Sequence, residues 1–326
     1  MSSHSFFASG STRIPYWDNL KGVLILLVVL GHFLFEFSGG DIANSLMYFI
    51  YSFHMPAFIL VSGYFSRRPR ALGIKAIAEL LAAFLLVNFA MMFYGVLFHG
   101  ERCDLAHLYY SSWYLLALVL YRATLPLCSR IPGILPISLA VSLLIGLWDD
   151  LDDVFRLSKV VALYPFFLIG LKLPDNFGKL VLSRFTIRKA CLATLLFISV
   201  AVLIAFLIHV GWIDFDKVFW VHYGMKRELL ERGAFFALVV VTIASLMLVT
   251  PVRSLGFLAQ WGRNSLAIYL FHRPVVAAFR HYVAPPQSLV ERNAPGCGND
   301  GSFVRVWFES GFEVAQKDAC LGDGRG

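Results

Sequence analysis

Charge is scarce in this chain. Of 326 residues only 15% are Asp, Glu, Lys or Arg, while 58% are hydrophobic; a soluble domain has about a quarter charged and half apolar. That balance excludes a surface wetted on all sides, and the mean hydropathy of +0.70 fits a polytopic membrane protein. Cysteine is scarce as well: there are five, an odd number without metal-ligand spacing, which argues against a disulfide scaffold and a zinc site. No soluble domain and no internal repeat stands out. The net charge of +7 is spread through short loops between apolar runs. It therefore reads as a topology signal rather than a phosphate-binding stripe, and no nucleic-acid partner is expected.

What is present in abundance is long apolar sequence. With about 20 residues per crossing, nine spans are predicted, near 20–38, 44–65, 76–98, 108–127, 132–148, 157–172, 189–210, 231–250 and 264–284. The expected fold class is all-α, a polytopic transmembrane helical bundle. The connecting loops alternate in charge. Arg67, Arg68, Arg70 and Lys75 fall in the second loop, Arg122 and Arg130 in the fourth, Lys172 to Lys189 in the sixth, and Arg253 and Arg263 in the eighth. By the positive-inside rule these loops and the N-terminus are cytoplasmic. The odd loops are acidic or mixed, with Asp149, Asp150, Asp152 and Asp153 in the fifth. The seventh, from Gly211 to Glu228, is rich in aromatic residues and reads as an aromatic belt or a substrate-facing loop. Residues 1–19 form a cytoplasmic segment, 20–284 the transmembrane domain, and 285–326 a polar, glycine-rich tail expected to be disordered. The first run lacks an A-x-A-like cleavage site and carries His32 and Glu36, so it is expected to stay as an uncleaved helix.

The polar groups of that first helix share one face. Lys21 and His32 are eleven residues apart, a rotation of ~1,100° and a rise of ~16 Å, about 20° past three full turns. Asp18 lies about 40° from His32 by the same count, and Glu36 one turn beyond it. Asp18, Lys21, His32 and Glu36 thus form a single seam, which cannot face lipid because each ionisable group there costs several kcal/mol unless it looks into protein or a wet cavity. His32 lies ~18 Å deep in a core about 30 Å thick, and His54 about half-way along the second span, so the two can meet at similar depth.

Such a seam suits acyl transfer. A hydroxyl attacking a thioester needs a base of near-neutral pKa, which imidazole supplies, and Glu36 is placed to orient it. Lys21, paired with Asp18 and helped by Arg67 and Arg68, can hold a phosphate-bearing donor; snorkelling and topology are the other readings of these cations. In the second span Pro56 follows His54, and Ser62-Gly63 permits close backbone approach, pointing to a kink toward a cavity and to helix packing. Trp113 opens the fourth span as an interfacial anchor or a wall of the acceptor site. In the ninth span, beside His272, Arg273 needs a partner such as Glu36 or bound substrate.

Five blocks, in order, carry a resemblance: Tyr-Trp-Asp-Asn-Leu-Lys-x10-His at 16–32, Phe-His-Met-Pro-x5-Ser-Gly-Tyr-Phe at 53–65, Trp-Tyr-Leu-Leu-Ala-Leu at 113–118, Pro-Phe-Phe-Leu-Ile-Gly at 165–170 and Asn-Ser-Leu-Ala-Ile-Tyr-Leu-Phe-His at 264–272. Over roughly residues 13–280 the chain resembles the acyltransferase-3 family, and most of all its fucose 4-O-acetylase-like members. The resemblance implies an integral enzyme of the plasma (inner) membrane, without bound cofactor. It would take an acyl group, usually acetyl, from acyl-CoA to a hydroxyl of a carbohydrate, often in a surface polysaccharide. The family's basic-residue-x10-His motif maps onto Lys21 and His32, with His32 the catalytic residue, and its Ser-Gly element onto Ser62 and Gly63. Members usually have ten helices, where nine are visible here, and a small or neutral residue at the place of Arg273.

Two readings from other classes remain. A proton-coupled transporter would also line its path with His, Glu and Arg, although two halves with matching broken helices are not evident. A non-catalytic component of a glycan-export complex is the other.

Overall fold

The structure is a computed structural model that describes residues 15–37, 41–99, 112–128, 130–145, 157–183, 186–210 and 226–283. Every regular element among them is a helix: α1 (Pro15–Phe37), α2 (Asp41–Ser66), α3 (Pro69–Leu72), α4 (Ile74–His99), α5 (Trp113–Cys128), α6 (Ile134–Leu144), α7 (Leu157–Lys172), α8 (Phe177–Ser183), α9 (Ile187–His209), α10 (Lys226–Val249), α11 (Phe257–Arg263) and α12 (Ser265–Val283). The nine longer helices coincide with the nine apolar runs. By length and composition five are fit to cross a membrane, within α1, α2, α4, α9 and α10, while α5 and α6 are shorter apolar helices. The chain is an all-α, multi-pass bundle.

Three short helices, α3, α8 and α11, fall where loops were expected. They are four to seven residues long, too short for an apolar period to show in sequence. α1 starts at Pro15 rather than residue 20, because Tyr16, Trp17, Asp18 and Asn19 are all buried in the bundle. α2 continues as a helix through Pro56. The loops with Glu101 to Asp104 and Asp149 to Asp153, most of the seventh loop with its aromatic residues, and the polar tail lie outside the described residues.

α2 is the axis of the bundle. It is buried along most of its length, whereas α4 and α9 are the least covered of the five crossing helices and turn Leu86, Phe93, Leu192, Leu195 and Val202 outward. Lipid is the medium in which such apolar faces are stable. α2 packs chiefly on α7, and α1 on α2, α11 and α12.

Two of these contacts are made backbone to backbone. A Cβ on Gly63 would stand 2.1 Å from the Phe167 carbonyl oxygen, and one on Gly170 would stand 1.9 Å from that of Leu60. In the same way, a Cβ on Gly22 would be 2.1 Å from the Leu258 carbonyl oxygen, and one on Gly262 would be 1.7 Å from that of Asp18. Between membrane helices there is little hydrophobic drive, so close van der Waals contact of this kind carries the association. At each crossing, reciprocal glycines fix the register of two helices.

The foot of α1 is also tied by polar groups. The Tyr16 hydroxyl donates to the Met247 carbonyl at 2.7 Å. The Asn19 amide donates to the carbonyls of Pro251 (2.8 Å) and Arg253 (2.6 Å) and accepts from the Leu255 N–H at 3.3 Å. One buried amide therefore satisfies three backbone groups of the turn leading into α11, a turn completed by Gly256 at a φ of 47°, which favours glycine.

Candidate active site

The glycine crossing sets the height of the site. Gly22 and Gly262 touch, and each is followed ten residues later by a histidine, His32 on α1 and His272 on α12. Ten residues of continuous α1 lift the His32 ring about 15 Å above Gly22, whereas Gly262 lies in α11 and His272 reaches the same level on α12. The two imidazoles lie side by side, centroids 5.0 Å apart and planes inclined at 36°.

Hydrogen bonds give these rings different tautomers. Arg273 Nη1 lies 3.0 Å from Nδ1 of His32, and because guanidinium has no acceptor, it must donate. Nδ1 of neutral His32 therefore carries a lone pair, and the proton sits on Nε2. The Tyr51 hydroxyl donates to the same Nδ1 at 3.1 Å. His272 is the reverse. Its Nδ1–H donates to the Tyr269 carbonyl at 2.6 Å, which leaves the lone pair on Nε2, a buried nitrogen without a hydrogen-bond partner among the described residues. His54 matches His272, donating from Nδ1 to the Ile50 carbonyl at 2.7 Å. The ring of Tyr51 lies between His32 (5.8 Å) and His54 (5.3 Å) and joins the two.

Arg273 joins the seam as well. Its Nη1 lies 3.9 Å from Oε1 of Glu36, with both side chains largely buried. Glu36 is expected to orient His32, and here the Arg273 guanidinium faces the carboxylate and the imidazole together. A buried charge is tolerable only when paired in this way. No group of three or more His, Cys, Asp and Glu side chains among the described residues is placed to hold a metal ion.

From the imidazole pair a row of hydroxyl-bearing rings leads to α2 and α5. His272 lies 5.6 Å from Tyr269, and Tyr269 lies 5.0 Å from Tyr114, both between ring centroids. The Tyr114 hydroxyl shares a hydrogen bond of 2.8 Å with Ser62. Trp113 is buried beside Tyr114, edge to face at 6.4 Å. Of the Ser62-Gly63 pair, only Ser62 points a polar group into this row; Gly63 lies in the α2–α7 crossing.

At the foot of α1, Lys21 Nζ lies 3.3 Å from Oδ1 of Asp18 and 5.6 Å above the Phe65 ring. Arg68 is exposed and stands over the same ring at 5.7 Å. Arg67 is engaged elsewhere. Its guanidinium stacks on Tyr64 at 3.8 Å, pairs with Asp175 at 3.0 Å and donates to the Leu173 carbonyl, which fastens α2 to the turn after α7. Trp17 stacks on the same Tyr64 ring at 4.0 Å.

Four residues of this arrangement were not singled out from sequence: Asn19, Tyr51, Tyr114 and Tyr269. A signal for two of them exists. Tyr51-Ser-Phe-His54 and Tyr269-Leu-Phe-His272 repeat one spacing, which puts each tyrosine a turn before a buried histidine.

No curated protein and no solved structure matches the chain. A family model described as an acyltransferase domain matches residues 14–297, a stretch that begins just before the buried foot of α1 and takes in every helix of the bundle. The seam, the paired imidazoles and the helices that align them therefore lie within one family's pattern, and the chain belongs to the acyltransferase-3 family, as an integral, multi-pass membrane acyltransferase.

Proposed function

We propose that the chain transfers an acetyl group from acetyl-CoA to a hydroxyl of a carbohydrate, such as a sugar unit of a surface polysaccharide, with the imidazole pair of His32 and His272 at the point of transfer. The observation that carries this reading is the vertical arrangement of α1. Lys21 and the exposed Arg68 stand at its foot, suited to a phosphate-bearing coenzyme. His32 stands ~16 Å above Lys21, a span that an extended thioester arm can reach. A sugar hydroxyl is a weak acid and a poor nucleophile until a base takes its proton, and imidazole is the side chain matched to that task near neutral pH. The row Tyr269, Tyr114, Ser62 offers hydroxyls on amphipathic rings, a lining suited to a polar acceptor. The donor enters from the cytoplasmic face of the plasma membrane, where Lys21 and Arg68 lie by the positive-inside rule, and the acceptor reaches the imidazoles from the other side.

The test uses membranes carrying the wild-type chain or His32→Ala, labelled acetyl-CoA and a crude glycan pool. Label entering base-labile ester on sugar with the wild type only is the expected result. Equal labelling by both chains would sink the reading.

A further inference from the structure

The two imidazoles, their centroids 5.0 Å apart, differ in the nitrogen each leaves available. His32 has its Nδ1 lone pair engaged by Arg273 at 3.0 Å and by Tyr51 at 3.1 Å, so its remaining nitrogen, Nε2, is a donor. His272 has its Nδ1–H engaged by the Tyr269 carbonyl at 2.6 Å, so its remaining nitrogen, Nε2, is an acceptor, buried and without a hydrogen-bond partner among the described residues. For His32 to act as a base it would have to use the lone pair already held by a guanidinium and a phenol. His272 has its lone pair free.

We infer that His272 is the general base of the transfer and that His32, backed by Arg273, is the hydrogen-bond donor to the oxyanion. This rests on the acyl-transfer reading above and divides the labour within it. The acceptor hydroxyl oxygen attacks the thioester carbonyl carbon, forming a C–O bond, while its proton passes to Nε2 of His272. The carbonyl π pair moves onto oxygen, and the His32 Nε2–H donates to that developing charge, where a positioned donor is most effective. Collapse of the tetrahedral centre breaks the C–S bond, and the leaving coenzyme thiolate takes from His272 the proton that came from the acceptor hydroxyl. One ester and one free thiol leave, and both rings regain their starting tautomers. Arg273 acts as a positioning residue: it touches His32 rather than the reacting atoms, keeps Nδ1 unprotonated, and is itself anchored by Glu36.

Glutamine separates the two roles, because its side-chain amide can donate near the place of Nε2 but cannot serve as a base at neutral pH. His32→Ala is expected to lower the transfer rate by about 10²- to 10³-fold, the usual effect of losing an oxyanion donor, and His32→Gln to restore most of it. His272→Ala and His272→Gln are expected to fall alike, by about 10²- to 10⁴-fold. His32→Gln as inactive as His32→Ala, or His272→Gln near wild type, overturns the assignment. A second measurement needs no activity. In 15N-histidine-labelled protein in a lipid nanodisc, with signals assigned by the two glutamine variants, His32 is expected to show an unprotonated Nδ1 and His272 an unprotonated Nε2. The opposite pattern overturns the inference whether or not a sugar acceptor has been found. Absence of acetyl transfer by the wild type with the expected tautomers would instead refute the acceptor or donor class.

Discussion

Arg273 and Glu36 meet at 3.9 Å on adjacent helices, both largely withdrawn from solvent, and the same guanidinium nitrogen, Nη1, lies 3.0 Å from Nδ1 of His32. A flat, forked cation can face a carboxylate and an imidazole at once, whereas an ammonium group is a single point charge. Arg273→Lys is therefore expected to cost about 10²-fold in transfer rate, the scale of a misplaced reacting group. Glu36→Gln leaves the guanidinium without its counter-charge and is expected to lower stability by about 3–5 kcal/mol. Thermal unfolding in detergent alongside the labelled-acetyl assay separates the effects. A Lys variant with full activity would show that the fork is not needed.

The helix crossings make a contrast that needs no assay of function. Gly63→Ala must move the backbone of Phe167, and Gly170→Ala that of Leu60; each is expected to destabilise by about 1–3 kcal/mol. Gly233→Ala, in α10, meets no atom within 4 Å and is expected to stabilise by up to ~1 kcal/mol through helix propensity. Melting temperatures of the three variants test this ordering.

Asn19 holds three backbone groups at once. Asn19→Ala strands the carbonyls of Pro251 and Arg253 and the N–H of Leu255, at about 1–3 kcal/mol for each group left unsatisfied. Because the same turn leads into α11 and then α12, hydrogen exchange is expected to rise at residues 251–256 and activity to fall with it. Unchanged exchange at this turn would show that water replaces the amide.

Arg67 and Arg68 are neighbours in sequence with different surroundings. Arg67→Ala removes the stack on Tyr64 and the pair with Asp175 and is expected to register in the melting temperature. Arg68→Ala is expected to raise the KM for acetyl-CoA, with an effect that weakens at high salt as exposed electrostatics are screened. The reverse assignment of the two effects would make Arg67 the donor contact.

Much of this molecule can be read from its residues, for identifiable reasons. Apolar runs mark the nine longer helices, five of which are by length and composition fit to cross a bilayer, because lipid demands length and continuity. The seam on α1 is legible because helical spacing alone puts Asp18, Lys21, His32 and Glu36 on one side. The need of Arg273 for a buried partner such as Glu36 follows from its place in an apolar helix, and that ion pair is present. What sequence does not reveal is anything decided between helices. That His272, rather than His54, lies against His32 depends on the register set by Gly22 and Gly262, residues that read only as small. That Arg273 donates to His32 depends on the same register. The use of Asn19 was hidden because its partners are more than 230 residues away and are backbone groups, which leave no mark in side-chain identity.

The touching pair Gly22 and Gly262 has one more consequence. The level of His32 is counted in residues along α1 from this contact, and not from the lipid headgroups. Membranes differ in thickness by several Å, but the travel of a coenzyme arm from Lys21 to His32 stays ~16 Å in all of them. The protein carries its own ruler. A thioester of fixed arm length then meets the same reacting level in a thin or a thick bilayer, and a change of host membrane alters how the bundle sits in the lipid without altering the reach of its chemistry.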